Sequence, residues 1–214
     1  MTIAQRRDRR REGMRRKILA AAMQLFVRQG FENVSMRGIA RKIDYSPAAI
    51  YRYFKDKDAI LATLRIEGFA LFVEKQKETL DFPDPQTRLF ESGLAYLSFA
   101  REHPEYFHLM FNLDVHDKGC EEYWAGKPQE SFDILQKTVV DCIENGHFSG
   151  VSPAAAVFGL WAAAHGLANL LISGRLGALV GEEGMRELLE SVMAFNLRPC
   201  LTGAQTPSSD AETS

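Results

Sequence analysis

An all-α chain is predicted, on three observations. Apolar residues recur at three- and four-residue spacing through most of the sequence, no alternating run of β-branched residues reads as a strand, and Gly or Pro punctuates the helical stretches. At 214 residues, 46% hydrophobic and 25% charged, the chain suits one generous domain or two small ones and lacks the composition of disordered, collagenous or disulfide-stapled proteins.

The first helix is expected from about Glu12 to Gln29, with Met14, Ile18, Ala22, Leu25 and Phe26 on one face and Gly30 as its stop. Ser35 can cap a short helix that turns Met36, Ile39, Ala40 and Ile43 inward, and Asp44 and Tyr45 form a tight turn. Ser46 starts a second short helix with Pro47 at its first position, where a missing N–H costs nothing, and Ile50 and Phe54 continue the buried stripe. Asp56 caps a longer fourth helix through Ile60, Leu61, Leu64, Gly68 and Phe72, until LDFPDPQ breaks it.

Helices are then expected from Pro85 to about Arg101, from Pro104 through Phe107, Met110 and Phe111, from about Gln129 to Asn145, from Pro153 to before Gly174, and from Glu182 to Leu197. Leu113 to Pro128 reads as a loop and the residues after Pro199 as a disordered tail. The organisation expected is therefore 1–60 as a helix-turn-helix domain with a basic arm, 61–198 as a second helical domain, and 199–214 as the tail. Ala154 to Ile172 is almost continuously apolar, but its Ala and Gly content and its interruption by His165 and Asn169 favour a helix buried on all sides by protein over a membrane span.

The formal net charge of −2 hides an asymmetry. Residues 1–57 carry fifteen Lys and Arg against five Asp and Glu, whereas the remainder carries eleven against twenty-three. That polarity points to a polyanion at the N-terminal end. Cys120, Cys142 and Cys200 have no CxxC or His-spaced partners, so neither a metal site nor a disulfide framework is suggested. The first residues are basic without an apolar core segment, which argues for a cytoplasmic protein.

Two short helices joined by a turn of about three residues allow the second to enter a major groove while the first crosses the backbone, though such pairs also occur in ordinary helical proteins. The stretch VSMRGIARKIDYSPAAIYRYFKDKDAIL resembles the DNA-binding domain of the TetR family of regulators in Ile39-Ala40, Ser46, Tyr51-x-Tyr53-Phe54 and Lys57. One departure is Asp44, where the family usually has Gly; Asp tolerates the left-handed conformation such a turn requires.

The resemblance implies double-stranded DNA as partner and a palindromic operator read by a homodimer. It places Ser46, Pro47, Ala48, Ala49, Tyr51, Arg52 and Tyr53 on or beside the recognition surface, with Ser35 and Arg37 contributing from the preceding helix. Small side chains at Ala48 and Ala49 let a helix approach bases, Tyr hydroxyls reach phosphates, and Arg52 can read guanine or clamp phosphate. Lys57, with the amides that open the fourth helix, can hold one phosphate. Arg6, Arg7, Arg9, Arg10 and Arg11 form either a minor-groove arm or a solvated one.

The second half is rich in aromatic and sulfur side chains, which form a core or line a pocket. HPEYFHLMF and Trp161-Ala-Ala-Ala-His165-Gly166 resemble the two motifs of a TetR subfamily with a Trp/His-Gly signature. On that reading Phe107, Met110, Phe111, Tyr123, Trp124, Trp161 and His165 are candidates to contact a small hydrophobic effector; His165 reads more readily as a core histidine bonded to a carbonyl. Leu167, Leu171, Leu188, Val192 and Phe195 on the last two helices exceed what one monomer readily hides, and the resembled family pairs through that region. No catalytic constellation stands out, and no cofactor is expected. The expectation is a repressor released from its operator by a hydrophobic effector; the alternatives are a DNA-binding regulator without an effector, or an all-α enzyme with an incidental basic end.

Overall fold

The computed structural model describes residues 2–111, 126–148, 150–181 and 183–201. Among them all regular structure is helical: α1 Ile3–Gln29, α2 Met36–Lys42, α3 Pro47–Tyr51, α4 Lys57–Glu78 continued by a 3-10 turn at Thr79–Asp81, α5 Pro85–Glu102, α6 Pro104–Phe111, α7 Lys127–Glu144, α8 Pro153–Ile172, α9 Arg175–Val180 and α10 Met185–Leu201. The loop expected over Leu113 to Pro128 lies outside the described residues as far as residue 125, and α7 already begins at Lys127; most of the expected tail also lies outside them.

Local chemistry explains most boundaries. Ser35 Oγ accepts from the Gly38 amide at 3.1 Å, Ser46 Oγ from Ala49 at 3.3 Å, Asp56 Oδ1 from Ala59 at 2.8 Å and Ser152 Oγ from Ala155 at 3.2 Å, each quenching one orphan donor of a first turn. Gly30 closes α1 with φ 77°, a conformation that needs no Cβ.

Three expectations are corrected. Helix α1 begins at Ile3 rather than Glu12, because Thr2 and Gln5 form a capping box and the arginine run is a good helix former that apolar periodicity does not register. The short α9, set between Gly174 and Gly181, both at φ 72°, was not expected, and α10 starts at Met185 rather than Glu182. Nor is α8 enclosed on all sides: it is long and apolar enough to cross a membrane, yet only 28% of its central window is buried.

The chain forms two compact units, 1–71 with 103–128 and 72–102 with 129–214, so the chain does not part at residue 60. The reason is that α4 runs unbroken past that position, while α6 joins the first unit. Ile18, Ala22 and Phe26 of α1, Ile39 and Ala40 of α2, Ile50 of α3, Ile60 and Leu64 of α4 and Leu109 of α6 make one core. Arg65, 5% exposed, donates from Nε to the Leu109 carbonyl at 2.7 Å, and Gly68 is where α4 meets α6: a Cβ there would lie 2.7 Å from Met110 Sδ. In the second unit Leu89, Val139, Cys142, Phe148, Val157 and Leu197 pack together, and Phe72 rests on Tyr96 and Phe99 with ring centres 5.2 Å apart.

Candidate nucleic-acid interface

The first unit presents α3 by burying only Ile50 of its five residues. Ser46, Ala48, Tyr51 and Arg52 are exposed, Tyr51 by 55%; Pro47 and Ala49 are half-buried. Small residues leading the helix and a long polar pair ending it make a face that a groove can admit. The two cap serines keep their hydroxyl hydrogens, since each Oγ acts as acceptor toward the backbone, and can still donate outward. Asp44, at φ 60°, adopts the left-handed turn that its position demands.

Two of the residues expected at this surface are engaged elsewhere. Tyr53 is half-buried and packs against the core of the unit, its amide donating to the Ile50 carbonyl at 2.8 Å. Lys57 donates to the Phe31 carbonyl at 3.0 Å, lies 4.1 Å from the centre of the Phe31 ring and 3.6 Å from Glu32, and is 25% exposed. Its ammonium thus ties the start of α4 to the turn after α1, with a cation–π contact. The Asp56 carboxylate already takes one first-turn amide, so the phosphate cradle expected there is partly filled.

Around α3 the exposed cations are Arg37, Arg41, Lys42, Arg52 and Lys55, the last 3.6 Å from Asp56. Arg41 and Lys42 also sit in the last turn of α2, where they complement its dipole. Tyr45, 43% exposed in the turn, is a further aromatic on this side that the motif-based reading passed over, although an aromatic beside a cap was visible in the sequence.

The seven candidate ligand residues do not form one group. Phe107 and Met110 are fully buried and, with Phe111, belong to the first unit, where Phe69 and Phe111 meet edge-to-face. Phe107 packs on Phe111 with ring centres 5.1 Å apart, and Met110 lies against Gly68. Tyr123 and Trp124 lie outside the described residues. Trp161 and His165 belong to the second unit and converge on Tyr96: the Tyr96 hydroxyl is 2.8 Å from His165 Nδ1, and the Trp161 side chain hydrogen-bonds to the same phenol.

Indole N–H can only donate, so the phenol oxygen accepts from Trp161 and its own proton is left for Nδ1. That arrangement calls for neutral His165 with its proton on Nε2. Burial accords with it, holding the His165 imidazole below its ordinary range and pushing the Tyr96 phenol well above, the Trp161 bond opposing the latter only in part. The backbone carbonyl of His165 accepts from Asn169 at 2.9 Å. Tyr96 was missed as a partner because 69 positions separate it from His165 and no local spacing signals the contact. A half-open cleft of about 250 Å³ in this unit is lined by Leu89, Phe90, Cys142, Phe148 and Leu197, with Asp84 and Thr87 at its rim. None of the five described candidates is among its lining residues.

Comparison with known proteins agrees with this architecture. A family model described as bacterial regulatory proteins, tetR family, matches residues 18–64, and one described as tetracyclin repressor-like, C-terminal domain, matches residues 89–195. The HTH-type transcriptional regulator YobS of Bacillus subtilis (strain 168) is 26% identical over 194 residues, spanning 90% of this chain and 94% of that protein. HbdR of Aromatoleum sp. (strain CIB), also an HTH-type transcriptional regulator, is 37% identical over 75 residues, about a third of each chain.

Among solved structures, a tetR-family regulatory protein from Rhodococcus RHA1 superposes with a TM-score of 0.68 at 20% identity, covering 87% of this chain and 96% of its own. FadR of Bacillus subtilis, solved with stearoyl-CoA, does so with 0.67 at 16%, covering 88% and 98%. At those identities the structures speak for the fold alone. With a family model covering half of the chain and a second lying on the two capped short helices, this protein belongs to the TetR family of DNA-binding transcriptional regulators.

Proposed function

We propose that this regulator is a cytoplasmic homodimeric repressor that occupies a palindromic operator and leaves it when a small hydrophobic effector binds, and that it has no enzymatic activity. The observation that carries the reading is the α3 face, where Ser46, Ala48, Tyr51 and Arg52 stand exposed on a helix anchored by Ile50. Ala48 and Ala49 meet thymine methyls, Arg52 reads guanine, and Ser35, Arg37, Ser46 and Tyr51 hold phosphates. Lys57 contributes the donor that Phe31 and Glu32 leave over. Tyr53 supports the surface from behind. Residues 1–60 act as the reading module even though compactness does not end there.

A second copy is supported by α8. Its exposed stripe of Ala155, Phe158, Gly159, Ala162, Gly166 and Leu170 holds no charge, and nothing lies within 4 Å of where a Cβ on Gly159 or Gly166 would be. Small residues on an apolar stripe admit a close partner helix. On α10, Phe195 is 64% exposed, and Leu188 and Val192, like Leu171 of α8, are half-buried; Leu167, only 7% exposed, is better assigned to the core. An isologous interface there gives two-fold symmetry and hence an inverted repeat in the DNA.

For the effector we retain Trp161 and His165, whose half-buried cluster with Tyr96 resembles the Trp/His-Gly signature. The apolar cleft bounded by Leu89 and Phe148 is a second place for an apolar molecule. A relative of this fold, FadR, was solved with stearoyl-CoA, which is in keeping with a hydrophobic effector class.

The deciding experiment is selection of duplex from random sequence by the full chain, then footprinting with and without long-chain acyl compounds. An inverted-repeat footprint that fades as compound is added is expected. A single asymmetric half-site defeats the dimer, and a footprint indifferent to every apolar compound defeats the effector.

A further inference from the structure

The first turns of α1 form a helix that no burial explains. Residues 4–13 are all exposed, and Ala4 is the largest apolar side chain among them. The helical form rests on the capping box, with the Thr2 amide donating to Gln5 Oε1 at 2.8 Å and the Gln5 amide to Thr2 Oγ1 at 3.3 Å.

Electrostatics within the free chain runs against it. Arg6 with Arg10 and Arg7 with Arg11 stand four apart, Arg6 with Arg9 and Arg7 with Arg10 three apart, and each such like-charge pair destabilises a helix. The first turn carries no acid to meet the positive end of the dipole. Glu12 is taken by Arg16 at 3.1 Å, and among the described residues Arg6, Arg7, Arg10 and Arg11 make no ion pair. All of these unfavourable features reverse sign beside a polyanion.

Arg15 places the segment. Its guanidinium pairs with Glu67 at 3.4 Å and lies 5.5 Å from the centre of the Phe54 ring, two residues beyond Arg52. The helix therefore leaves the core at the C-terminal end of α3, and at about 1.5 Å per residue Arg11 and Arg6 sit roughly 6 and 14 Å farther along its axis.

We propose that residues 4–13 are a second DNA-binding element, a preformed arginine helix that docks on the phosphate backbone flanking the half-site facing α3. The inference rests on the DNA reading of α3 given above. Duplex DNA bears a charge about every 1.7 Å of its axis, so a rod of this length meets several phosphates, and guanidinium forks bind phosphate oxygens in pairs. A helix already formed loses less freedom on docking than an unstructured arm.

The test compares the full chain with its Arg6→Gln/Arg7→Gln/Arg10→Gln/Arg11→Gln variant on two duplexes chosen by selection: one trimmed to the inverted repeat, one extended on both flanks. On the extended duplex the variant is expected to lose about 0.9 of salt slope per abandoned phosphate, roughly 3 to 4 per protomer, with a footprint shortened at its edges; on the trimmed one the two proteins should match. Circular dichroism should show the variant at least as helical as the parent, since the substitutions remove repulsion. Equal slopes and footprints on the extended duplex overturn the proposal, as does an equal loss on both duplexes. A parent chain that retains no duplex at low salt overturns the α3 reading itself, which separates the two failures.

Discussion

In the unit built from residues 1–71 and 103–128, α2 and α3 own their side-chain caps, point their apolar residues at one core, and leave only small, polar or basic groups outside on the α3 face. The unit built from 72–102 and 129–214 leaves Phe158, Leu170, Leu179 and Phe195 exposed on three helices after its own core is filled. Around α2 and α3 burial is closed within one chain and the α3 face is dressed for phosphate, while Val27, Ile66 and Leu71 stay exposed on α1 and α4. Burial in the second is left open, which is what a surface awaiting another apolar surface looks like. The contrast teaches that one sequence can carry two kinds of incompleteness, one electrostatic and one hydrophobic, and each names its own partner.

The comparison breaks most visibly at the apolar stripe. Ala162→Asp with Phe195→Asp should abolish self-association, at about 2 kcal/mol or more per central residue, which is roughly a thousand-fold in the dimer dissociation constant by sedimentation. A variant that stays dimeric would show the open face to have another use. Next in size is Arg65→Ala, which removes the buried donor from the Leu109 carbonyl and leaves a void between α4 and α6; about 2–4 kcal/mol of stability should be lost in urea unfolding, with Arg65→Lys rescuing little because Nε is the bonding atom.

Asp44→Val tests whether the turn is as constrained as its φ of 60° implies, with about 1–2 kcal/mol expected to be lost because a β-branched residue disfavours that region; Asp44→Gly should be tolerated. Ser46→Ala should cost about 1 kcal/mol in thermal unfolding through the lost cap of α3, and should weaken DNA binding further than it weakens the fold.

The smallest effect is a pH dependence shared by both units. Burial holds His165 in the second unit and His108 in the first below the ordinary value of 6.5. The folded chain then binds fewer protons than the unfolded chain just below that value, so stability is full above pH 6.5 and declines as pH falls through it. His165→Gln should flatten part of the decline in melting temperature between about pH 7.5 and 5.5, and His108→Gln the rest. A wild-type curve flat over that range would show that neither ring is held neutral.

Legibility in the sequence followed the range of the interactions. Ser35, Ser46, Asp56 and Ser152 act within three residues of themselves, so their helices could be placed from spacing alone. Tyr53 and Lys57 could not be fully placed, because whether a side chain at a motif position faces outward depends on Phe31, Glu32 and the unit core, which are distant in sequence from it. The same limit hid which core Phe107 and Met110 join: their helix packs in the first unit, a choice invisible to periodicity, which reports that a face is buried but not against what. Which residues of α8 make its exposed stripe could not be read for the converse reason, since an apolar run reads alike whether one chain or two cover it.

Residue types and spacings by themselves determined the helical class, the two capped short helices, the turn at Asp44 and the basic N-terminal charge, because caps, periodicity and net charge are local or additive properties. Tertiary structure alone decided that α6 joins the first unit through Arg65 and Gly68, that Tyr96 meets His165 and Trp161, and which apolar face of α8 stays uncovered. Those outcomes depend on which distant surfaces compete for the same contact, and close packing lets only one of them win.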